Sequence, residues 1–218
     1  VNAVMQKRSV SKIFVSRNKT LDQCFDWTNT MLMAVSRDGD NIKQVYTSEN
    51  EVDTRKALNQ LNKKALGLAE LSIKMLSAKP IVPGTYEIIT DPTISGLIAH
   101  EAFGHGVEMD MFVKNRAKAK EYVGKKVASE KVNMHDGAAA AISAGSYFFD
   151  DDGVLASDTQ IIKDGILQTG ISDLLSAMQL GSKPTGNGRR QSFDHKAYTR
   201  MTNTFFAPGE DDVDQMIK

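Results

Sequence analysis

Cysteine is almost missing from this sequence: Cys24 is the only one in 218 residues. No disulfide can close within the chain, and no Cys-rich zinc knuckle can be built from it. Any metal would need histidine and carboxylate ligands, or a ligand from outside the chain. Cys24 lies among Leu21, Phe25 and Trp27, company that predicts a buried and inert thiol. Net charge is missing too, since Lys plus Arg and Asp plus Glu each total 27. That balance argues against nucleic acid as the main partner. No apolar run of about 18 residues or more occurs, so no membrane span is expected. The first residues also lack the basic segment, apolar stretch and small-residue cleavage site of a secretory leader. These absences predict a cytoplasmic protein, although a shortened chain could have lost a targeting segment. What is present is an ordinary globular composition, 41% hydrophobic, in a length that suits one large domain or two small ones.

The pattern along the chain predicts an α+β fold: a small strand-plus-long-helix N-terminal part, then a motif-bearing helix and a mostly antiparallel β region. Val10 to Val15 reads as a strand. Met31 to Arg37, Asp38-Gly39-Asp40 and Asn41 to Thr47 read as a hairpin with its turn. Asp53 can cap a helix whose core positions would be Leu58, Leu61, Ala65, Leu68, Leu71 and Met75, up to Pro80. Pro80 to Gly84 suggests a boundary between domains at 1–80 and 81–218, with Tyr86 to Thr90 strand-like beyond it. Asp91-Pro92 then starts a second helix that would turn Ile94, Leu97, Ile98 and Ala102 to the core. Further on, Val127 to Val132, Ser146 to Phe149, Thr159 to Lys163 and Ile166 to Thr169 read as short strands. Asp150-Asp151-Asp152-Gly153 reads as a solvated turn, because adjacent carboxylates do not match the alternating ligands of a calcium loop. Ser172 to Leu180 reads as a short helix ended by Gly181.

The second helix carries His100-Glu101-Ala102-Phe103-Gly104-His105, an HExxxH spacing. Positions five apart on a regular helix are separated by roughly 140° about the axis, against roughly 40° for positions four apart. A straight helix could not aim both imidazoles at one ion, but a π turn could, and Gly104 is the residue that most easily permits one. Were the rings to converge, they would suit Zn²⁺, and Glu101 could take the proton of a zinc-bound water during amide hydrolysis. The bland alternative makes His100 an ordinary helix histidine and His105 a cation at a helix C-terminus. Glu108 and Asp110 could coordinate or orient the imidazoles. His135 and His195, the only other histidines, are expected at the surface. The Gly-rich, Arg-rich run Gly186 to Arg190 lacks the Gly-Lys-Ser/Thr ending of a phosphate-binding P-loop, so a loop lining a cleft is expected there.

Several segments in order resemble the TldD/PmbA metallopeptidases, historically called modulators of DNA gyrase. They are Ile98 to Glu108, Pro184-Thr185-Gly186-Asn187-Gly188-Arg189-Arg190, and Arg200-Met201-Thr202-Asn203-Thr204 ahead of Pro208-Gly209. Asp150 to Val154 and Lys163 to Leu167 sit where the family has a similar acidic turn and hairpin. The resemblance is close from about Thr85 to Gly209 and loose before it. It implies a zinc peptidase acting on unfolded or short peptides inside a homo- or heterodimer with a family-related subunit, this chain resembling the TldD-like catalytic member. His100 and His105 match the family's zinc ligands and Glu101 its catalytic glutamate. Gly186, Asn187, Gly188, Arg189, Arg200, Thr202 and Asn203 become candidates for binding substrate, and Glu108 and Asp110 for supporting the ligands. The family's third ligand is a cysteine in a C-terminal segment, and nothing here matches it, Cys24 lying on the wrong side of the motif. The resemblance therefore implies a piece of a longer protein, lacking the C-terminal portion of its peptidase domain and inactive in isolation. The alternative function is a non-catalytic peptide-binding or scaffold subunit of the same two-subunit assembly.

Overall fold

Gly39 takes a positive φ of 58°, the left-handed conformation that lets a tight turn join two long strands. In this computed structural model, which describes residues 1–217, β1 spans Asn2–Val15, β2 Thr20–Asp38 and β3 Asn41–Glu51, in the order β1-β2-β3. The register of the β2–β3 hairpin runs from Asp38 opposite Asn41 to Thr28 opposite Glu51. All three strands are longer than their apolar stretches suggested. Residue contacts divide the chain into one unit of Val1–Ser11 with Cys24–Tyr86 and another of Lys12–Gln23 with the chain from Glu87 onward.

In the first unit, α1 (Thr54–Lys74) starts where Asp53 accepts hydrogen bonds from the amides of Arg55 and Lys56, satisfying donors with no partner inside the helix. The helix packs on β3, but not through the expected stripe. Its buried residues are Ala57, Leu61, Leu68 and Ser72, while Leu58, Leu71 and Met75 are exposed. Two hydroxyl pairs fix its rotation, Thr28 Oγ1 with Thr54 Oγ1 at 2.8 Å and Ser36 Oγ with Ser72 Oγ at 2.6 Å. With Thr54 and Ser72 turned to the sheet, Leu71 must face away. Cys24 is exposed, contrary to expectation, because alternation along β2 buries its neighbour Gln23.

In the second unit, residues 87–90 form no strand. Next, α2 (Pro92–Ala99) is capped by Asp91, whose carboxylate accepts from Ile94 N at 2.9 Å. Its buried residue is Ala99, with Phe103 of the following turn partly buried beside it, whereas Ile94, Leu97, Ile98 and Ala102 are exposed. Only the narrow face through residues 99 and 103 meets the core. The rest comprises α3 (Met109–Val113), β4 (Met134–Asp136), β5 (Thr159–Lys163), β6 (Ile166–Leu167), α4 (Leu174–Leu180), β7 (Gly188–Arg189), β8 (Tyr198–Thr199), β9 (Thr204–Phe206) and α5 (Val213–Met216). A four-stranded sheet of order β6-β5-β4-β9 and the β7–β8 pair are antiparallel throughout, so the class is α+β. The core joins Ala99, Val107 and Met201 to Met134, Ile161, Ile162, Leu167 and Ile171.

Two expected strands are replaced by irregular chain. Residues 127–132 contribute none, the nearest pairing being a single Lys126–Ile166 bridge. Residues 146–149 form only the Phe149–Leu155 bridge, since the buried Gln23 amide does the work of a neighbouring strand. It accepts from Phe148 N at 2.9 Å and Phe149 N at 3.3 Å, and donates to Phe149 O at 3.0 Å. The acidic turn is not solvated either. Asp150 is buried and accepts from the amides of Asp152, Val154 and Gly188 at 2.8–2.9 Å.

Candidate active site

The obstacle in the HExxxH spacing is resolved by the backbone. The α2 helix passes into a π turn over His100–Gly104 and then a 3-10 turn over His105–Val107. The wider turn carries His105 around the axis, so that the two imidazole centroids lie 4.8 Å apart with their planes at 80°. Two imidazoles bound to one tetrahedral ion through bonds of about 2.0–2.1 Å would have ring centres roughly 5 Å apart. The pair therefore fits two positions of a zinc-type site. Among the described residues, no group of three His, Cys, Asp or Glu side chains is arranged to hold a metal, whereas a catalytic zinc site takes three protein ligands.

Gly104 serves this turn by its size and not by unusual torsions. Its φ and ψ are helical, −61° and −64°, but a Cβ at this position would come within 1.9 Å of Met201 Sδ. The missing side chain lets the π turn lie against Met201, one of the segment's core residues. The turn is thus held from the strand side of the unit as well as by its own hydrogen bonds.

Glu101 follows His100 within the turn and is exposed. Glu108, 5% exposed, faces His105, its Oε1 lying 3.5 Å from Nδ1. That is ion-pair range but no hydrogen bond, and Oε1 is otherwise unpartnered. Its Oε2 lies 3.5 Å from Arg200 Nη1. Burial pushes the Glu108 carboxyl above the usual carboxylate range, with Arg200 and His105 opposing the shift. Asp110 is buried but turned elsewhere, accepting from Lys114 Nζ at 3.0 Å. Of the two downstream acids, Glu108 is placed to orient an imidazole. His135 pairs with Asp158 at 2.7 Å and stacks on Phe205, and His195 is exposed in the loop before β8.

The remaining candidates converge on a buried carboxylate that the sequence reading missed. Asp136, at the end of β4, is 1% exposed. It accepts from Asn187 Nδ2 at 2.7 Å, Thr202 N at 3.0 Å, Thr202 Oγ1 at 2.9 Å and Thr204 Oγ1. Asn187 also donates to Arg200 O at 3.0 Å, and Asn203 Nδ2 bonds Ala141 O at 3.0 Å and Ser146 Oγ at 2.9 Å. Asn187 and Asn203 are buried: their amides hold loops together and do not face solvent. Gly188 offers its amide to Asp150, and Gly186, at φ +76°, packs against Leu155 O. Burial pushes the Tyr147 hydroxyl far above its usual range, so it stays protonated and donates to Gly186 O at 2.6 Å. Of the proposed cleft residues, Arg189 and Arg200 present exposed side chains. Only the Asp-Gly dipeptide at 136–137 hinted at Asp136, and that is a turn signal with no hint of the convergence.

The chain is similar to known proteins along most of its length. The family model described as the PmbA/TldA metallopeptidase C-terminal domain matches residues 83–218, more than half of the chain. A metalloprotease of Synechocystis sp. is 34% identical over 203 residues, 93% of this chain and 44% of its own length. A protein of Saccharolobus solfataricus named zinc metalloprotease TldD homolog is 27% identical over 196 residues, 86% of this chain and 42% of its own. A crystal structure from Thermotoga maritima, described as a candidate modulator of a DNA gyrase, superposes with a TM-score of 0.83 at 24% identity, covering 99% of this chain and 48% of that one. The chain thus spans under half the length of these relatives.

Proposed function

The chain belongs to the PmbA/TldA metallopeptidase family, and on that footing we propose that it provides the zinc-holding and acid–base residues of a peptidase acting on unfolded or short peptides. The observation that carries this reading is the π turn, which brings the His100 and His105 imidazoles to 4.8 Å and also contains Glu101. His100 and His105 would hold the ion. When bound, zinc supplies Lewis-acid polarisation and a water of pKa about 7.

This chain's own part is positional and protolytic. The Glu101 carboxylate accepts a proton from the attacking water and returns it to the nitrogen of the departing amine. Glu108 fixes the His105 ring, and Arg200 holds Glu108 in turn, so that the ligand does not rotate away from its partner. Asp136 anchors the 187 and 200–204 segments that stand beside the turn. The same reading places the chain in a two-subunit assembly with a family-related partner, homo- or heteromeric, that encloses the site.

The test is Glu101→Gln in the zinc-loaded protein with an unstructured fluorogenic peptide. Zinc content should be unchanged while cleavage falls by about 10²-fold or more; retained cleavage would end the mechanism. If metal analysis finds no stoichiometric zinc even in the wild type with its complete C-terminal segment, a peptide-holding, non-catalytic role takes its place.

A further inference from the structure

The loop between β7 and β8 encloses a recess of about 390 Å³ lined by Arg189, Arg190, Gln191, His195, Tyr198 and Arg200. Three arginines therefore border one small volume. Among the described residues, neither Arg189 nor Arg190 forms a side-chain ion pair, and Arg200 has only the 3.5 Å contact with Glu108. Each arginine is held instead by a main-chain carbonyl. Arg189 Nη1 donates to Met201 O at 3.1 Å, Arg190 Nη1 to His195 O at 3.0 Å, and Arg200 Nη1 to Thr199 O at 2.6 Å. A guanidinium has five N–H donors, so these bonds set its orientation and leave donors over.

A second observation points the same way. The Tyr198 ring, on the wall of the recess, has Lys196 Nζ at 4.6 Å, Arg200 Cζ at 5.4 Å and Lys114 Nζ at 5.6 Å from its centroid. Only Lys114 among these two lysines is neutralised, by Asp110. The carboxylates nearby are Asp194, paired with His195, and Asp151, which accepts from the Arg190 amide; neither forms an ion pair with the three arginines or Lys196 among the described residues, so these cations stay open to an anion.

We propose that this recess is a carboxylate-binding subsite of the peptide cleft, filled by the substrate's C-terminal carboxylate or by an Asp or Glu side chain. This deepens the peptidase reading and rests on it. The planar fork of a pre-oriented arginine matches a carboxylate through two parallel hydrogen bonds. The location fits a subsite beside the reacting bond, because Arg200 borders the recess and also contacts Glu108, which faces His105.

The test is fluorescence anisotropy on zinc-free protein with three N-terminally labelled Ala/Ser hexapeptides: a neutral C-terminal amide, the same peptide as the free acid, and the amide with one internal Glu. At low salt, at least one acidic peptide should bind about 10-fold more tightly than the neutral amide, with the preference shrinking as salt rises. The free acid responding alone assigns the C-terminal carboxylate, and the Glu peptide responding alone assigns the side chain. Arg190→Gln and Arg189→Gln, both at exposed positions, should each cut the preference to within about twofold. Equal binding of all three peptides by the wild type would overturn the proposal, as would a preference that survives in both variants. Cleavage of the neutral amide by zinc-loaded protein is read separately, so a failed subsite and a failed peptidase remain distinguishable.

Discussion

Replacing Gly104 by alanine sets two physical effects against each other with opposite signs. By helix propensity alone the change should stabilise by roughly 0.5–1 kcal/mol, since glycine inside a helical segment carries an entropic penalty. Its φ of −61° is already one that alanine adopts freely. Space opposes it: the new Cβ would lie 1.9 Å from Met201 Sδ, about half an ordinary contact distance. Met201 is 7% exposed and packed into the core, so it cannot swing into solvent. Overpacking of this kind costs about 1–3 kcal/mol, and the net result should be a loss of about 0.5–2 kcal/mol. For a protein of this size that lowers the thermal midpoint by roughly 1–8 °C. The assay is calorimetric or dichroism-monitored unfolding of Gly104→Ala, Met201→Ala and the double variant. In the double variant the overpacking disappears, so its destabilisation should fall short of the sum of the singles by about 1 kcal/mol or more. Gly104→Ala at or above wild-type stability, or strict additivity in the cycle, would refute the claim that this glycine gives the π turn its seat.

Three further outcomes follow from the same contacts. Asp136→Ala leaves Asn187, Thr202 and Thr204 with buried donors lacking an acceptor and should destabilise by about 3–5 kcal/mol in denaturant titration; a cost under about 1 kcal/mol would show that Asp136 is no anchor. Glu108→Gln, which keeps the shape but loses the charge facing His105, should weaken zinc binding about 10- to 100-fold in competition with a chromophoric chelator; unchanged affinity would remove its orienting role. Asp91→Ala uncaps α2, the helix that presents His100, and should cost about 1 kcal/mol, seen as faster amide exchange at Ile94 and Ser95 with slow exchange kept in β5.

Periodicity and caps made much of this fold legible. The hairpin at Gly39, the caps at Asp53 and Asp91 and the strand at Thr159–Lys163 rest on local chemistry that a sequence displays. The π turn was legible for the same reason, the five-residue spacing being incompatible with a shared target on a regular helix. Which side of each helix would be buried was less so. The Ser36–Ser72 and Thr28–Thr54 hydroxyl pairs that orient α1 join residues far apart in sequence. The missing strand at residues 146–149 shares that cause, since Gln23, more than a hundred positions away, satisfies the amides of Phe148 and Phe149. Asp136 and Asp150 looked like ordinary turn acids because only the folded chain brings distant donors onto them. The arginine recess combines a sequence-visible run, Arg189-Arg190, with Tyr198 and Arg200, which the β7–β8 pairing folds back beside it.

Whether the histidine pair holds a metal is answered most directly by anomalous diffraction above and below the zinc edge, from crystals grown with zinc. One zinc peak between the His100 and His105 rings, within about 2.0–2.1 Å of a nitrogen from each, is the predicted result. A map with no peak there, or with zinc bound only at other side chains, would contradict it.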